Sequence, residues 1–589
     1  FVFIGFLIGM ASSDGESDEV NVKADEQKIV KLVLSGEISE RHQFQDLFFN
    51  DEVPFVGEDA TIGLFELEQA LKKAAEDASL KGLYLVVENM NTGWATLASI
   101  RKALADFKKS GKFIYVYSSS LNEANYYLST VADTIFMYPM GGFELDGLQT
   151  VLGFMKGLLE KLEVQPQIFR AGSYKSAVEP FLRDQMSAEN REQITAFNRD
   201  VWMAFTSAVS ESRGVSEAEL NRLAESVLVA NAEEALKYKL IDQLKYEDEV
   251  LEFLKGVMSL GKDKKLPFVP LHNYLDSKSG LDLGEAEQFI HFSSKRDARG
   301  PSVAVIFADG EIHMGTSQEE SVGARTFVET LREVREDEDI KAVVLRINSP
   351  GGDALAADEI WREVVLTDQV KPVIASFGDV AASGGYYIAA GARHVFAQPV
   401  TLTGSIGAFG LSFVAKDLFK NKLGISFDRV VTHPSADMGG MHRKVTEAES
   451  FIIGKEIDRI YDRFLGVVAQ GRKVSVEKVK TVAGGRIWSG TLAQQSQLVD
   501  ELGGLPEAIA LAAKTAGLKE GYPIQTLPKA KMPFAKIIQM LATEARQSLG
   551  FSLVEDLVAS KVAGKIPKSL SDQKKPGILG RLPEDANTR

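Results

Sequence analysis

The chain has no cysteine. Thiol nucleophiles, disulfides and thiolate metal sites are therefore excluded together, while the redox compartment is left undetermined. Positive charge is in deficit: 67 Lys and Arg stand against 82 Asp and Glu, a net charge of −15. That field repels phosphate backbones, and no Lys/Arg run is long enough to reverse it locally, so nucleic acid is not an expected partner. A hydrophobic run of spanning length is missing as well. FVFIGFLIGM covers residues 1 to 10 and is followed by the acidic SSDGESDE, whereas crossing a bilayer takes about 20 apolar residues. Residues 1–12 are expected to be the end of a longer, truncated transmembrane anchor, and 13–28 an acidic linker. The rival reading is a cleavable signal peptide with GMASS at its cleavage site. Both put the rest of the chain outside the cytoplasm.

What is present is ordinary globular composition, 45% hydrophobic and 25% charged, in a chain too long for one core, since cores stop growing near roughly 250 to 300 residues. An internal duplication organises it. IVKLVLSGEI (29 to 38) echoes VAVIFADGEI (303 to 312), and LKGLYLVV (80 to 87) matches IKAVVLRI (340 to 347), 260 residues later. That offset persists for almost a hundred residues and aligns Tyr126 and Tyr127 with Tyr386 and Tyr387. Apolar β-branched runs alternating with helical stretches such as ALAADEIWREVVL imply right-handed crossovers and a mainly parallel sheet. The expected organisation is an α/β domain at 29–270, a linker at 271–300, a second α/β domain at 301–515, and an extension at 516–589. That extension holds an amphipathic pattern, FAKIIQMLATEARQSL, expected to pack on the second domain.

Two glycine-rich elements stand at the ends of adjacent predicted strands, RINSPGGDALAADEI (346 to 360) and GDVAASGGYYIAAGA (378 to 392), the place where open α/β sheets form sites. In the first, Pro350 and the Gly351-Gly352 pair turn into a helix and leave backbone N–H groups pointing outward, an oxyanion-hole candidate. In the second, Ser383 sits among Ala381, Ala382, Gly384 and Gly385, small enough for a substrate backbone to approach. Alone, SGG reads as a helix N-cap. The duplication acts as a control: the offset of 260 sets Ser383 against Glu123 and the glycine pair against Asn91-Thr92. Glycines needed only by the fold would be kept in both copies, so their presence in one points to chemistry.

A serine hydroxyl needs a base. Among the 7 histidines, His394 and His433 read as surface or packing residues, and a Ser-His-Asp triad is left open with little support. A lysine made neutral by burial can serve instead. Lys175, in FRAGSYKSAVEPF, is the candidate, and the offset sets it against Ser435. The copy with the serine lacks this lysine, so a site using both exists only where the two domains meet.

AGSYKSAVEPF, NSPGG, AASGGYY and TLTGSIGAFG resemble hallmark segments of the signal peptide peptidase A family (protease IV, peptidase family S49) in its long duplicated form, which is related to the Clp protease and crotonase folds. The likeness extends to about residue 515. It implies two tandem Clp protease/crotonase-like domains, Ser383 as nucleophile, Lys175 as general base, and Ser405 of the TGSIG segment orienting the lysine amine. It further implies oxyanion binding by the Gly351-Gly352 turn and Gly384, with the N–H groups of Gly352 and Gly384 as donors, and no metal or organic cofactor. The implied substrates are signal peptides and other apolar peptides. The implied setting is the bacterial inner membrane, single-pass, with the catalytic part in the periplasm and a homo-oligomer, a tetramer in the long form. Asp353 puts a carboxylate beside the oxyanion site, and is expected to cap the following helix instead. Two rival readings are a crotonase-type acyl-CoA enzyme and an inactive membrane-tethered scaffold.

Overall fold

Alternation along one strand shows why the apolar runs form a buried sheet. In Ser302–Asp309, Ala304, Ile306 and Ala308 enter one core, and Val303, Val305 and Phe307 enter another on the opposite face. With both faces covered, the strand reads as continuously apolar, as buried parallel sheets do. The computed structural model describes residues 27–41, 62–275, 300–318 and 321–528. Residues 529–589 lie outside the described residues, together with the expected anchor at 1–12. The expected helix in FAKIIQMLATEARQSL is likewise outside them. Among the described residues no helix is long and apolar enough to cross a membrane.

The first copy contributes β1 (Lys28–Gly36), β2 (Leu80–Met90), β3 (Phe113–Ser118), β4 (Thr134–Met137), β5 (Gln165–Ala171), β6 (Gln243–Leu244) and β7 (Phe268–Pro270). Six of these pair in the order β6-β4-β3-β2-β1-β7, every pair parallel. The second copy contributes β8 (Ser302–Asp309), β9 (Glu311–His313), β10 (Ser321–Gly323), β11 (Ile340–Ser349), β12 (Val373–Ala382) and β13 (His394–Ala397). It continues with β14 (Leu402–Gly404), β15 (Ala408–Val414), β16 (Ile487–Ser489), β17 (Glu501–Leu502) and β18 (Ile524–Leu527). Its parallel path β17-β13-β12-β11-β8-β18 repeats the order of the first sheet strand for strand. β14 also pairs with the end of β12, and antiparallel with β16.

The helices repeat likewise. In the first copy these are α1 (Trp94–Lys108), α2 (Glu123–Ser129) and α3 (Ala188–Arg213); in the second, α4 (Ala354–Asp368), α5 (Gly384–Ala389) and α6 (Glu447–Arg472). The aligned tyrosines do the same work: Tyr126 donates to Leu240 O at 2.8 Å, and Tyr386 to Leu498 O at 2.7 Å.

One expected boundary moves. The second domain, expected at 301–515, extends further, because β18 pairs with β8 and so completes that sheet at residue 527. Its sequence, IQTL, bears no likeness to FVP of β7, which fills the same edge position in the first sheet, so the repeat is invisible there.

The copies are joined by polar contacts as well as by packing. Arg346, fully buried, holds both carboxylate oxygens of Glu40 from the first copy, at 2.8 and 3.1 Å. Asp379 of β12 accepts from the N–H groups of Ala95 and Thr96 at 2.8 and 3.0 Å. It thereby caps α1, whose own N-cap residue is Gly93, without a side chain to do so.

Candidate active site

Sheet register brings two serines out side by side. The last pair of β12 and β14 is Ala382 with Gly404, so the next residues, Ser383 and Ser405, leave adjacent parallel strands together. Both have positive φ, 54° and 51°, a region costly for any residue with a Cβ, of order 1–3 kcal/mol each. The Ser383 N–H donates to Gly404 O at 2.9 Å, and the Ser405 N–H to Arg486 O at 2.7 Å, which hold these turns in place.

Ser383 is the N-cap residue of α5, yet its side chain makes no capping hydrogen bond. The first copy shows the contrast. There the N-cap of α2 is Asn122, in extended conformation, with its side chain accepting from Asn125 N. Glu123, at the position of Ser383, accepts from the N–H groups of Asp146 and Gly147 at 3.0 Å each. The relaxed, capped turn belongs to the copy without the serine; the strained one leaves its serine hydroxyl out of the cap.

A second register delivers the lysine. β5 of the first copy pairs antiparallel with β15 of the second, with Ala171 opposite Ala408. Antiparallel pairing puts the residues after Ala171 beside those before Ala408, so Lys175 meets Ser405. The approach is close: a Cβ on Gly485 would lie 2.5 Å from Lys175 N, which requires glycine there. Lys175 is 3% exposed. Its Nζ lies 3.0 Å from Ser383 Oγ, 2.9 Å from Ser405 O and 3.0 Å from Ser405 Oγ, all within one chain. Burial pushes the amine down from 10.5 to about 8, because desolvation penalises the ammonium. A neutral amine has two N–H donors and one lone pair. Donating to the two Ser405 oxygens leaves that lone pair to accept from the Ser383 hydroxyl.

The glycine turn completes the cluster. Ile312 N–H donates to Gly351 O at 2.9 Å and Asp353 N–H donates to Ile312 O at 2.8 Å, a parallel bridge of Ile312 with Gly352. In such a bridge the central residue's own N–H points away from the partner strand, here towards α5. A Cβ on Gly384 would lie 3.2 Å from Gly352 N, so the N–H groups of Gly352 and Gly384 border the same small space beside Ser383. Asp353 caps α4 by accepting from Ala356 N at 2.9 Å, which turns its carboxylate away from that space.

All six expected site residues, Ser383, Lys175, Ser405, Gly351, Gly352 and Gly384, therefore gather in one place. The histidines do not join them: His394 Nε2 faces Glu501 at 3.5 Å and His433 Nδ1 contacts Thr432 Oγ1 at 3.2 Å. Ser435, matched to Lys175 by the offset, is exposed in a turn. Sequence reasoning overlooked a buried polar set behind Lys175, namely Glu179, Asn190 and Gln193. The spacing of Asn190 and Gln193, one helical turn apart after the N-cap Ser187, was the available signal.

The model of peptidase family S49 matches residues 106–260 and 366–519, one stretch in each copy. The chain is 33% identical over 495 residues to the chloroplastic serine protease SPPA of Arabidopsis thaliana, covering 83% of this chain and 69% of that protein. It is 33% identical over 469 residues to Protease 4 of Salmonella typhi, covering 78% and 73%. A putative signal peptide peptidase SppA of Enterococcus faecium matches at 34% over 209 residues, covering 35% of this chain and 60% of that protein. Fold and relatives together define a serine-type peptidase, a hydrolase built from a duplicated α/β unit. The chain belongs to peptidase family S49.

Proposed function

We propose that this peptidase is a membrane-anchored endopeptidase working by a Ser383/Lys175 dyad on cleaved signal peptides in the bacterial envelope. The observation that carries the dyad is the 3.0 Å approach of the buried Lys175 Nζ to Ser383 Oγ. Neutral Lys175 takes the Ser383 proton as the oxygen attacks a peptide carbonyl. The tetrahedral oxyanion is received by the N–H groups of Gly352 and Gly384. Lys175 then gives its proton to the leaving amine, and water repeats the cycle on the acyl-enzyme. Ser405 orients the amine through its hydroxyl and its carbonyl. No cofactor enters these steps.

Signal peptides as substrates are supported by the name of the Enterococcus relative and by the small residues around Ser383, which admit an extended backbone. The apolar segment at residues 1 to 10 supports a membrane tether, with the catalytic part on the periplasmic side. A homotetramer is proposed from family resemblance alone.

The test supplies an apolar signal-like peptide to the parent and to the Ser383→Ala, Lys175→Ala and Ser405→Ala variants, and a serine-directed fluorophosphonate to each. Parent cleavage with labelling at Ser383, and losses of several orders of magnitude in the first two variants, are expected. Ser405→Ala should lose less, because Lys175 still donates to the backbone carbonyl at position 405. Undiminished cleavage by Lys175→Ala sinks the dyad.

A further inference from the structure

Building on the Ser383/Lys175 reading, we infer that Gln193 is a positioning residue for the dyad, clamping the segment that carries Lys175 onto the strand that holds Ser405. Its side chain is 2% exposed, in the first turns of α3. The amide nitrogen donates to Tyr174 O at 3.3 Å and to Ser176 Oγ at 3.0 Å, the two neighbours of Lys175, and to Asn190 Oδ1 at 3.0 Å. The amide oxygen accepts from Ile487 N–H at 3.1 Å, across the copy boundary. Ile487 is the β16 partner of Gly404, the residue before Ser405. One side chain thus spans from both flanks of the lysine to the strand beside its hydrogen-bonding partner.

The orientation of that amide is imposed from both ends. Glu179 Oε2 accepts from Ser187 N–H at 3.0 Å and from Asn190 Nδ2 at 3.2 Å. A carboxylate oxygen that accepts obliges Asn190 to present its NH2 to Glu179 and its oxygen to Gln193. Gln193 must answer with its own NH2, leaving its oxygen for the Ile487 N–H, which can only donate. Each link admits one direction, so the chain Glu179, Asn190, Gln193, Ile487 is a polarised relay of fixed geometry. The repeat supplies a control here too. α3 and α6 correspond at an offset of 259, from N-caps Ser187 and Thr446, and the residue matching Gln193 is Ile452, which is 57% exposed. Among the described residues the polar clamp belongs only to the copy that carries the lysine.

Gln193→Leu keeps the side-chain bulk and removes every hydrogen bond of the clamp. In folded protein, kcat on an apolar fluorogenic peptide is expected to fall about 10- to 100-fold with KM near the parent's, the scale of a misplacement near 1 Å. The pH at which Ser383 labelling by a fluorophosphonate reaches half its plateau should move upward, because a loosened lysine is better solvated. A purely structural role would lower the melting temperature and move neither kcat nor that pH. Should Gln193→Leu not fold, Gln193→Glu, which still accepts from Ile487 N–H but cannot donate to the lysine segment, is held to the same readings. Parent-like kcat and labelling pH in the folded variant overturn the inference. Lys175→Ala run alongside separates the failures. If it keeps activity, the dyad reading itself is wrong; if it is inactive while the Gln193 variants match the parent, only the role of Gln193 is wrong.

Discussion

Lys175 Nζ lies 3.0 Å from Ser383 Oγ although 208 residues separate them in the chain. Each comes from a different copy of a duplicated unit, and neither copy holds both. For the proposed Ser/Lys dyad this arrangement divides the demands: the second copy keeps the strained serine turn and the glycines, while the first contributes the amine and the polar chain behind it.

Activity is expected to follow the ionisation of Lys175. Only the neutral amine can take the serine proton, and burial sets its pKa near about 8. kcat/KM should therefore rise about tenfold per pH unit below that value and level off above it. Measuring hydrolysis of one peptide across the neutral to alkaline range checks this; a flat profile through pH 8 contradicts it.

Lys175 also has a signature in stability. The unfolded chain keeps this proton up to its ordinary value of 10.5, while the folded chain releases it near about 8. Between those values the unfolded state binds more protons, so stability rises with pH. Relative to Lys175→Met, the parent should gain about 2 to 3 kcal/mol between pH 7 and pH 10, read from denaturant midpoints of both proteins at each pH. The gap should not change if the lysine is not buried.

The two glycines proposed as oxyanion donors should fail in different ways. A Cβ at Gly352 would lie 1.9 Å from Ile312 O, on backbone with φ of 154°, whereas one at Gly384 meets its nearest atoms at 3.2 Å. Gly352→Ala is expected to lower both melting temperature and kcat. Gly384→Ala should leave the melting temperature near the parent's and cut kcat about 10²- to 10³-fold by crowding the Gly352 N–H. Equal behaviour of the two variants in melting and turnover would count against this geometry.

Asp379 stabilises a helix that is not in its own copy. Asp379→Ala leaves the N-terminus of α1 without a side-chain cap, because Gly93 has none, and should cost about 1 to 2 kcal/mol. Asp379→Asn, which still accepts from Ala95 and Thr96, should cost less than the alanine variant, losing the charge–dipole part, about 0.3 to 1 kcal/mol, and the carboxylate's attraction to the buried Arg346. Chemical denaturation of the three proteins distinguishes them.

The duplication, the parallel α/β class and the pairing of Ser383 with Lys175 were legible in the sequence, because each depends on local pattern or on what one copy has and the other lacks. Period-two alternation marks a strand, and a persistent offset marks a repeat. Neither reports contacts that do not repeat. The antiparallel joining of β5 to β15, the capping of α1 by Asp379 and the Gln193 clamp all link segments with no counterpart at the offset, and the β18 edge strand repeats β7 in place but not in sequence. Only packing decides their register. Ser383 was identifiable as a residue, but its positive φ and uncapped hydroxyl were not, since those arise from β14 lying beside the end of β12. Local chemistry along the chain nominated Ser383 and Lys175. The tertiary structure alone set the 3.0 Å between them, because that distance is the sum of strand registers drawn from two copies.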